Sequence, residues 1–309
     1  MKRAYPILVR VLAICFGSLV GLVFLLSVIN LSLTTVEKHR YPAPGKMVEI
    51  GGHKMHVLTE GSGPRNVVLL SGWGTPSPVT DFAPLINALE PDFTVTIVEC
   101  FGYGWSDSTR VPRTNHNVIE EVRAALRQAG ILPPYIVVPH SISGIYTLYW
   151  TNAHPEEISA VVGLDPSVPG LLKYMHSAGP MALLQVAHIG GIVRLALLVD
   201  PALLGYNSPV FSDVQKQTLT RMAIWNYGNT ALTGEGYLLV SNLREVQDCK
   251  FPSAIPTSMI LSKDSVQLFG RLMPGLDWVK VHQEVVARDP KARIYLVDGG
   301  HYVHWLNSQ

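Results

Sequence analysis

Four residues spread along this chain could together carry out acyl transfer. Ser141 follows the run Val137-Val138-Pro139-His140, and Ile142-Ser143-Gly144 comes directly after it. A β-branched run that breaks at once into a helix-compatible segment fits a sharp strand-to-helix turn, which lifts a serine hydroxyl above a sheet edge. The usual pattern is Gly-x-Ser-x-Gly, but Pro139 and Ser143 occupy the two glycine positions here. An attacking serine needs a base, an acid to orient it, and donors for the developing oxyanion. His301, directly after Gly299-Gly300, is the expected base, and nearby His304 reads as a surface or packing histidine. Asp264, in Ser262-Lys263-Asp264, is the favoured acid. Asp165 competes with it, although Pro166 beside it also suits a structural turn. Ser71-Gly72-Trp73-Gly74 can aim a backbone donor at the same space, so the N–H groups of Trp73 and Ile142 are the expected oxyanion hole. Each signal alone reads equally as an ordinary turn after a strand. Their order along the chain links them.

The elements around these residues alternate. Residues 47–50 and 53–59 read as two strands joined by Gly51-Gly52, a hairpin signal. Short apolar runs at 66–70, 94–98, 135–138, 160–164, 257–261 and 293–297 suit buried strands. Between them, 81–89 carries Phe82, Leu85, Ile86 and Leu89 on one helical stripe, and 117–129 carries Val118, Val122, Ala125 and Leu126 with Gly130 as its stop. Residues 143–153 form a further helix, closed by His154-Pro155. This alternation predicts a mostly parallel sheet wrapped by helices on both faces. Pro139 removes a backbone donor, so its strand is expected to stop pairing at Val138. From 166 to 252 the strand signals fade, and helical segments fall near 171–175, 181–198, 212–226 and 236–248.

Composition narrows the function classes. The chain is 48% hydrophobic and 15% charged with net charge +1, which excludes a disordered chain and offers nucleic acid no basic face. Cys15, Cys100 and Cys249 lack metal-ligand spacing, so neither metal nor cofactor is expected. A Cys100–Cys249 disulfide is conceivable, and two buried thiols are the favoured reading. Residues 11–36 carry no charge, whereas about 20 apolar residues suffice to span a bilayer. No small-x-small cleavage site follows, so the segment reads as an anchor that stays in place. Lys2, Arg3 and Arg10 precede it and favour a cytoplasmic N-terminus, with Lys38 and Arg40 opposing them on the far side. The expected organisation is an anchor at 1–36, a Pro-rich linker at 37–45, a core in two parts at 46–165 and 253–309, and a helical insertion at 166–252 between them.

With that order in place, the chain resembles the α/β-hydrolase superfamily over about residues 46–165 and 253–305. The resemblance includes Glu99-Cys100-Phe101-Gly102-Tyr103-Gly104-Trp105-Ser106-Asp107, similar to the family's Gly-x-Gly-x-Ser turn, and Gly61-Ser62-Gly63-Pro64, similar to the loop before the oxyanion strand. It implies Ser141 as nucleophile, Asp264 as acid, His301 as base, Trp73 and Ile142 as oxyanion donors, and 166–252 as a helical cap. Ser71 stands where a histidine is usual. The chain stops eight residues after His301, so the family's final helix is expected to be missing, leaving apolar sheet surface open and the His301 loop loosely held. The implied activity is hydrolysis of a carboxylic ester, lactone or related acyl compound. A serine at the elbow disfavours dehalogenase and epoxide hydrolase chemistry, which uses aspartate there. Carbon–carbon bond hydrolysis or aminopeptidase activity would use the same residues, and a non-catalytic, membrane-anchored binding protein is the rival of another class. Trp225, Tyr227, Tyr237 and residues 238–240 either line an acyl pocket or form core.

Overall fold

The computed structural model describes residues 4–175, 179–286 and 289–306. Eight strands form one sheet: β1 (Lys46–Ile50), β2 (His53–Glu60), β3 (Asn66–Leu70), β4 (Thr94–Glu99), β5 (Tyr135–Pro139), β6 (Ile158–Leu164), β7 (Thr257–Ser262) and β8 (Arg293–Val297). Their order is β1-β2-β4-β3-β5-β6-β7-β8, with β2 antiparallel to both of its neighbours and the rest parallel. β1 and β2 meet at Gly51 (φ 58°) and Gly52 (φ 81°), the two left-handed positions that a two-residue hairpin demands.

Twelve α-helices complete the described chain: α1 (Ala4–Arg40), α2 (Pro78–Asp81), α3 (Ala83–Leu89), α4 (Asn115–Ala129), α5 (Ser143–Ala153), α6 (Met181–Ile189), α7 (Ile192–Val199), α8 (Asp213–Asn226), α9 (Thr230–Glu245), α10 (Lys263–Leu272), α11 (Trp278–Val285) and α12 (Val303–Leu306). Side chains alternate across a strand, so β3 feeds two cores. Val68 and Leu70 pack with Val122 and Leu126 of α4 and Ile145 of α5, while Val67 and Leu69 pack with Phe82 and Ile86 on the opposite face. Thr114 caps α4 by accepting from Asn117 N–H, and Gly130 (φ 86°) ends it. The stripe read from the sequence is the buried one.

Two local expectations fail for identifiable reasons. Pairing does not stop at Val138: Leu70 stands opposite Pro139, and His140 N–H donates to the Leu70 carbonyl at 2.9 Å. Successive donors along a strand point to opposite neighbours, so the missing donor of Pro139 faces β6, where regular pairing has already ended at Val137. The apolar run at 181–198 is two helices, α6 and α7, bent by 79° at Gly190-Gly191, with Gly191 at φ 71°. Between β7 and β8 the chain forms α10 and α11.

The helix α1 is long and apolar enough to cross a membrane. Its surface is exposed from Val9 to Leu25, and it meets the rest of the chain through Leu26, Ser27, Asn30, Thr34 and Glu37, a helical stripe. Lys2 and Arg3 lie outside the described residues.

The turn after β4 is held by a buried carboxylate. Glu99 accepts from His56 Nδ1 at 2.9 Å, Trp105 N–H at 2.8 Å and Val79 N–H at 3.2 Å. Gly45 N–H donates to His56 Nε2 at 3.0 Å, which places the ring proton on Nδ1. A Cβ at Gly104 would lie 1.8 Å from the Glu99 carboxylate, so the glycine there is obligatory. Glu99→Ala leaves three donors without their acceptor, each costing about 1–3 kcal/mol. Urea unfolding is expected to show a loss of about 3 kcal/mol or more, and a loss below about 1 kcal/mol would show that water replaces the carboxylate.

Candidate active site

Ser141 stands between β5 and α5 with φ 54°, a left-handed conformation that costs a non-glycine residue about 1–2 kcal/mol. Its backbone is held on both sides. Ser141 N–H donates to the Leu164 carbonyl at 3.3 Å, and its carbonyl accepts from Gly144 N–H at 2.9 Å and Ser167 N–H at 2.6 Å. This is the strained turn that presents a serine side chain above a sheet edge. Among the described residues the Ser141 hydroxyl makes no hydrogen bond.

The altered glycine positions have a structural account. Ser143 is buried, and its hydroxyl donates to the Ser71 carbonyl at 2.5 Å. A side chain in the glycine position thereby ties the 71–74 loop to the elbow. Two glycines nearby cannot be exchanged. A Cβ at Gly72 would lie 2.9 Å from both Ser141 Cβ and His140 Nδ1, and one at Gly144 would lie 2.4 Å from the Ser167 carbonyl. Trp73 follows Gly72 and Ile142 follows Ser141, and neither backbone N–H enters a hydrogen bond among the described residues. Trp73 is fixed from its other end, where Nε1 donates to the Leu232 carbonyl at 3.0 Å.

His301 follows β8, and its carbonyl accepts from His140 Nε2 at 3.1 Å. The two rings lie 4.7 Å apart, so the histidine loop is docked on the elbow. Burial, then the neighbouring His301 and His304, push the His140 pKa well below the usual histidine range, so His140 is a neutral donor. The carboxylate on His301 is Asp165: His301 Nδ1 donates to Asp165 Oδ2 at 2.7 Å. Asp165 is fully buried and has φ 44°. Its other oxygen accepts from Trp278 Nε1 at 2.9 Å and Ser262 N–H at 3.3 Å. Burial alone would raise its pKa, but the bond and charge of His301, with the bond from Trp278, hold it below the ordinary aspartate value.

The expectation of Asp264 as the acid is therefore corrected. Ser262 caps α10 by accepting from Ser265 N–H, so β7 runs straight into a helix and Asp264 lies exposed in its first turn. The histidine loop starts at β8 and must cross the ends of β7 and β6 to reach β5. An acid on either strand end lies beneath that path, and only the local turn decides between them.

His304 is buried beside His140, their rings 4.9 Å apart, with Nε2 against Asp81 Oδ2 at 2.9 Å, while Trp305 Nε1 donates to Asp81 Oδ1 at 2.9 Å. With Val303 buried in the second core, these bonds hold the His301 loop firmly, contrary to the expected looseness. Of the aromatic residues considered for a pocket, Tyr227 lies beside the loop, its ring 3.4 Å from where a Cβ at Gly74 would be. Trp225 packs inside the helical insertion and donates to Glu37, Tyr237 is exposed, and Leu239 packs on the main core. Sequence reading missed His140, Trp278 and the hydroxyl of Ser143; a histidine directly before the elbow serine was the only signal of the three in plain view. Among the described residues no group of three or more His, Cys, Asp or Glu is arranged to hold a metal ion.

With the acid placed on Asp165, Asp165→Asn leaves His301 with the wrong partner and is expected to reduce turnover of an activated ester about 10⁴-fold. Asp264→Asn should stay within about twofold of the parent, since an exposed change away from the reacting groups alters little. A large loss in Asp264→Asn with Asp165→Asn near the parent would return the acid to the end of β7.

Comparison with known proteins agrees with this architecture. The alpha/beta hydrolase fold family matches residues 65–188. The uncharacterized protein YbdG of Bacillus subtilis is 36% identical over 164 residues, which cover 52% of this chain and 50% of that protein. A pimeloyl-[acyl-carrier protein] methyl ester esterase of Xylella fastidiosa is 30% identical over 102 residues, 33% of this chain and 36% of the esterase. The chain thus spans half or less of the length of these curated relatives. Among solved structures, the Cif epoxide hydrolase from Acinetobacter nosocomialis superposes with a TM-score of 0.65 at 16% identity, covering 92% of this chain and 93% of the other. A carboxylesterase of Nitrososphaera gargenis superposes with a TM-score of 0.58 at 17% identity, covering 85% of this chain and 92% of the other.

Proposed function

We propose that this chain, a member of the α/β-hydrolase fold superfamily, is a serine hydrolase of carboxylic esters, lactones or related acyl compounds, anchored in a membrane by α1. The observation that carries the reading is the His301–Asp165 pair, docked by His140 onto a turn that strains Ser141 into a left-handed conformation. Strain of this kind persists only where surrounding bonds hold it, and it gathers at functional sites.

In the proposed reaction His301 Nε2 takes the Ser141 proton as the hydroxyl oxygen attacks the substrate carbonyl. Asp165 keeps the proton on Nδ1, so that Nε2 is the basic nitrogen, and it stabilises the imidazolium that forms. The tetrahedral oxyanion lies against the N–H groups of Trp73 and Ile142, where one lost donor typically costs about 10²–10³ in turnover. His301 then protonates the leaving group, leaving an acyl-enzyme on Ser141. Water, deprotonated by His301, releases the acid and restores the serine. The helices between β6 and β7 serve as the cap that shapes the acyl site. Similarity to a methyl ester esterase over a third of the chain supports ester chemistry over the carbon–carbon and peptide alternatives.

For the anchor, Arg10 before the apolar stretch supports a cytoplasmic N-terminus with the hydrolase core on the other side of the membrane. A fluorophosphonate probe is expected to label the full chain in membranes and to leave Ser141→Ala unlabelled; folded protein whose labelling ignores Ser141 would end the enzyme reading. A protease added outside intact cells should release the core, and full protection would reverse the orientation.

A further inference from the structure

The cap presents an apolar surface that its own core does not use. Leu183, Val186 and Ile189 on α6, and Ile192, Leu195 and Leu198 on α7, are all exposed. Arg194 is the one Lys, Arg, Asp or Glu on these two helices, and it does not face solvent. Its guanidinium donates to Asn30 Oδ1 at 2.8 Å, Thr34 Oγ1 at 2.9 Å and the Glu37 carboxylate at 2.6 Å, all on α1. The bend between α6 and α7 reaches further along the same helix. A Cβ at Gly191 would lie 3.4 Å from the Leu26 carbonyl, and one at Gly190 would lie 3.7 Å from Val23. Asn30 Nδ2 closes the contact by donating to the His188 carbonyl at 3.2 Å.

The position of that bend along α1 has a geometric consequence. A span of about 20 residues starting at Val11, directly after Arg10, extends to about Asn30, and any later start reaches further toward Glu37. Val23 and Leu26 therefore lie within the hydrocarbon in every register that keeps Arg10 outside it. At a rise of about 1.5 Å per residue, Val23 is about 10 Å below the boundary even in the shallowest case. Whatever packs on Val23 lies at that depth too. At the other end of the stripe, Arg40, Lys216 and Arg221 line a cavity of about 720 Å³ beside Tyr41, where basic and aromatic side chains suit a headgroup layer.

We infer that α6 and α7 insert beside α1 into the same bilayer leaflet and that the enzyme draws its substrate, an amphiphile whose acyl chain lies in that leaflet, through this part of the cap. The substrate class rests on the serine hydrolase and anchor readings above; the insertion rests on the anchor alone. The inserted helices adjoin the reacting groups. α6 packs on Gly228, where a Cβ would lie 2.6 Å from the Leu184 carbonyl, and the preceding Tyr227 covers Gly74 of the oxyanion loop. Tyr206, on the chain leaving α7, donates to the Gly74 carbonyl at 3.2 Å and lies 3.4 Å from the hydroxyl of Tyr302, the neighbour of His301. Both sides of the bent pair thus end at the loop beside Ser141.

Depth measurement tests the insertion. The full chain, with its three cysteines replaced, is spin-labelled singly at Val186, Leu195, Phe24 or Leu268 and reconstituted in phosphatidylcholine–phosphatidylglycerol vesicles. Nitroxide accessibility to oxygen against a nickel chelate should place Val186 and Leu195 in hydrocarbon together with Phe24 of α1, and Leu268 of α10 in water. Aqueous readings at Val186 and Leu195 with Phe24 in hydrocarbon overturn the insertion and leave the anchor intact. An aqueous reading at Phe24 overturns both. For the substrate class, the double variant Leu183→Asp with Leu195→Asp should lose about tenfold more turnover on a long-chain ester carried in vesicles than on a soluble short-chain ester, given the cost of carrying aspartate into a bilayer. Equal losses on the two esters overturn delivery from the membrane, and absence of Ser141 labelling would remove the hydrolase reading while the depth result stands.

Discussion

The hydrogen bonds gathered by the Asp165 carboxylate join the loop after β8, the end of β7 and α11 at one point beside the end of β6. Its two oxygens receive His301 from the loop after β8, Ser262 from the end of β7 and Trp278 from α11, while its own backbone N–H donates to the Ile260 carbonyl of β7 at 2.7 Å. A fully buried carboxylate is tolerated only when such donors replace its hydration. They also keep it ionised, which is the state that can hold the proton on His301 Nδ1. Satisfying a buried charge and orienting the His301 ring are here one arrangement. The left-handed backbone of Asp165 follows from it, because the chain must turn sharply after β6 for the carboxylate to point back beneath the histidine.

Further from the site, polar groups tie the cap to the core. Glu235 on α9 accepts from Tyr146 on α5 at 2.7 Å and from Tyr103 in the turn after β4 at 2.5 Å. Burial raises the Glu235 pKa, and the two phenol donors and Arg113 oppose that rise. Trp73 bonds the backbone of α9, and Tyr206 bonds Gly74, so the 71–74 loop touches the helical insertion at two points. The cap meets α1 through Arg194, in an arrangement where removing either charge would strand the other. From α1 to the elbow, each body is joined to the next by buried hydrogen bonds, which fix orientation more sharply than apolar contact does.

Much of this was legible in the residues. Six strands lie where the apolar runs placed them, and β1 and β2 where the Gly51-Gly52 hairpin signal did. The runs are clearest for β3, β4, β5 and β6, since a strand covered on both faces has to be nearly continuously apolar, whereas β8 at the sheet edge is largely exposed. Ser141 and His301 stand after β5 and β8, the positions their neighbours suggested. Less legible were features that depend on what the chain meets in space. Pro139 keeps its pairing with β3 because its missing donor faces β6, where regular pairing is interrupted between Val137 and the His140–Leu164 bridge. The bend at Gly190-Gly191 divides a run whose hydropathy suggested one helix.

The choice between Asp264 and Asp165 marks the boundary most clearly. By itself the sequence determined the alternating architecture, the apolar N-terminal helix and the ordered placement of serine and histidine, since these follow from local periodicity and turn chemistry. Only the tertiary structure decided which carboxylate meets His301, that Ser143 holds the 71–74 loop, and that α6 and α7 pack along α1. Those depend on side chains separated by tens to hundreds of residues arriving within about 3 Å of each other, the reach of a hydrogen bond. Local pattern carries no record of such a distance. It is set when the sheet closes and buried donors and acceptors must find partners.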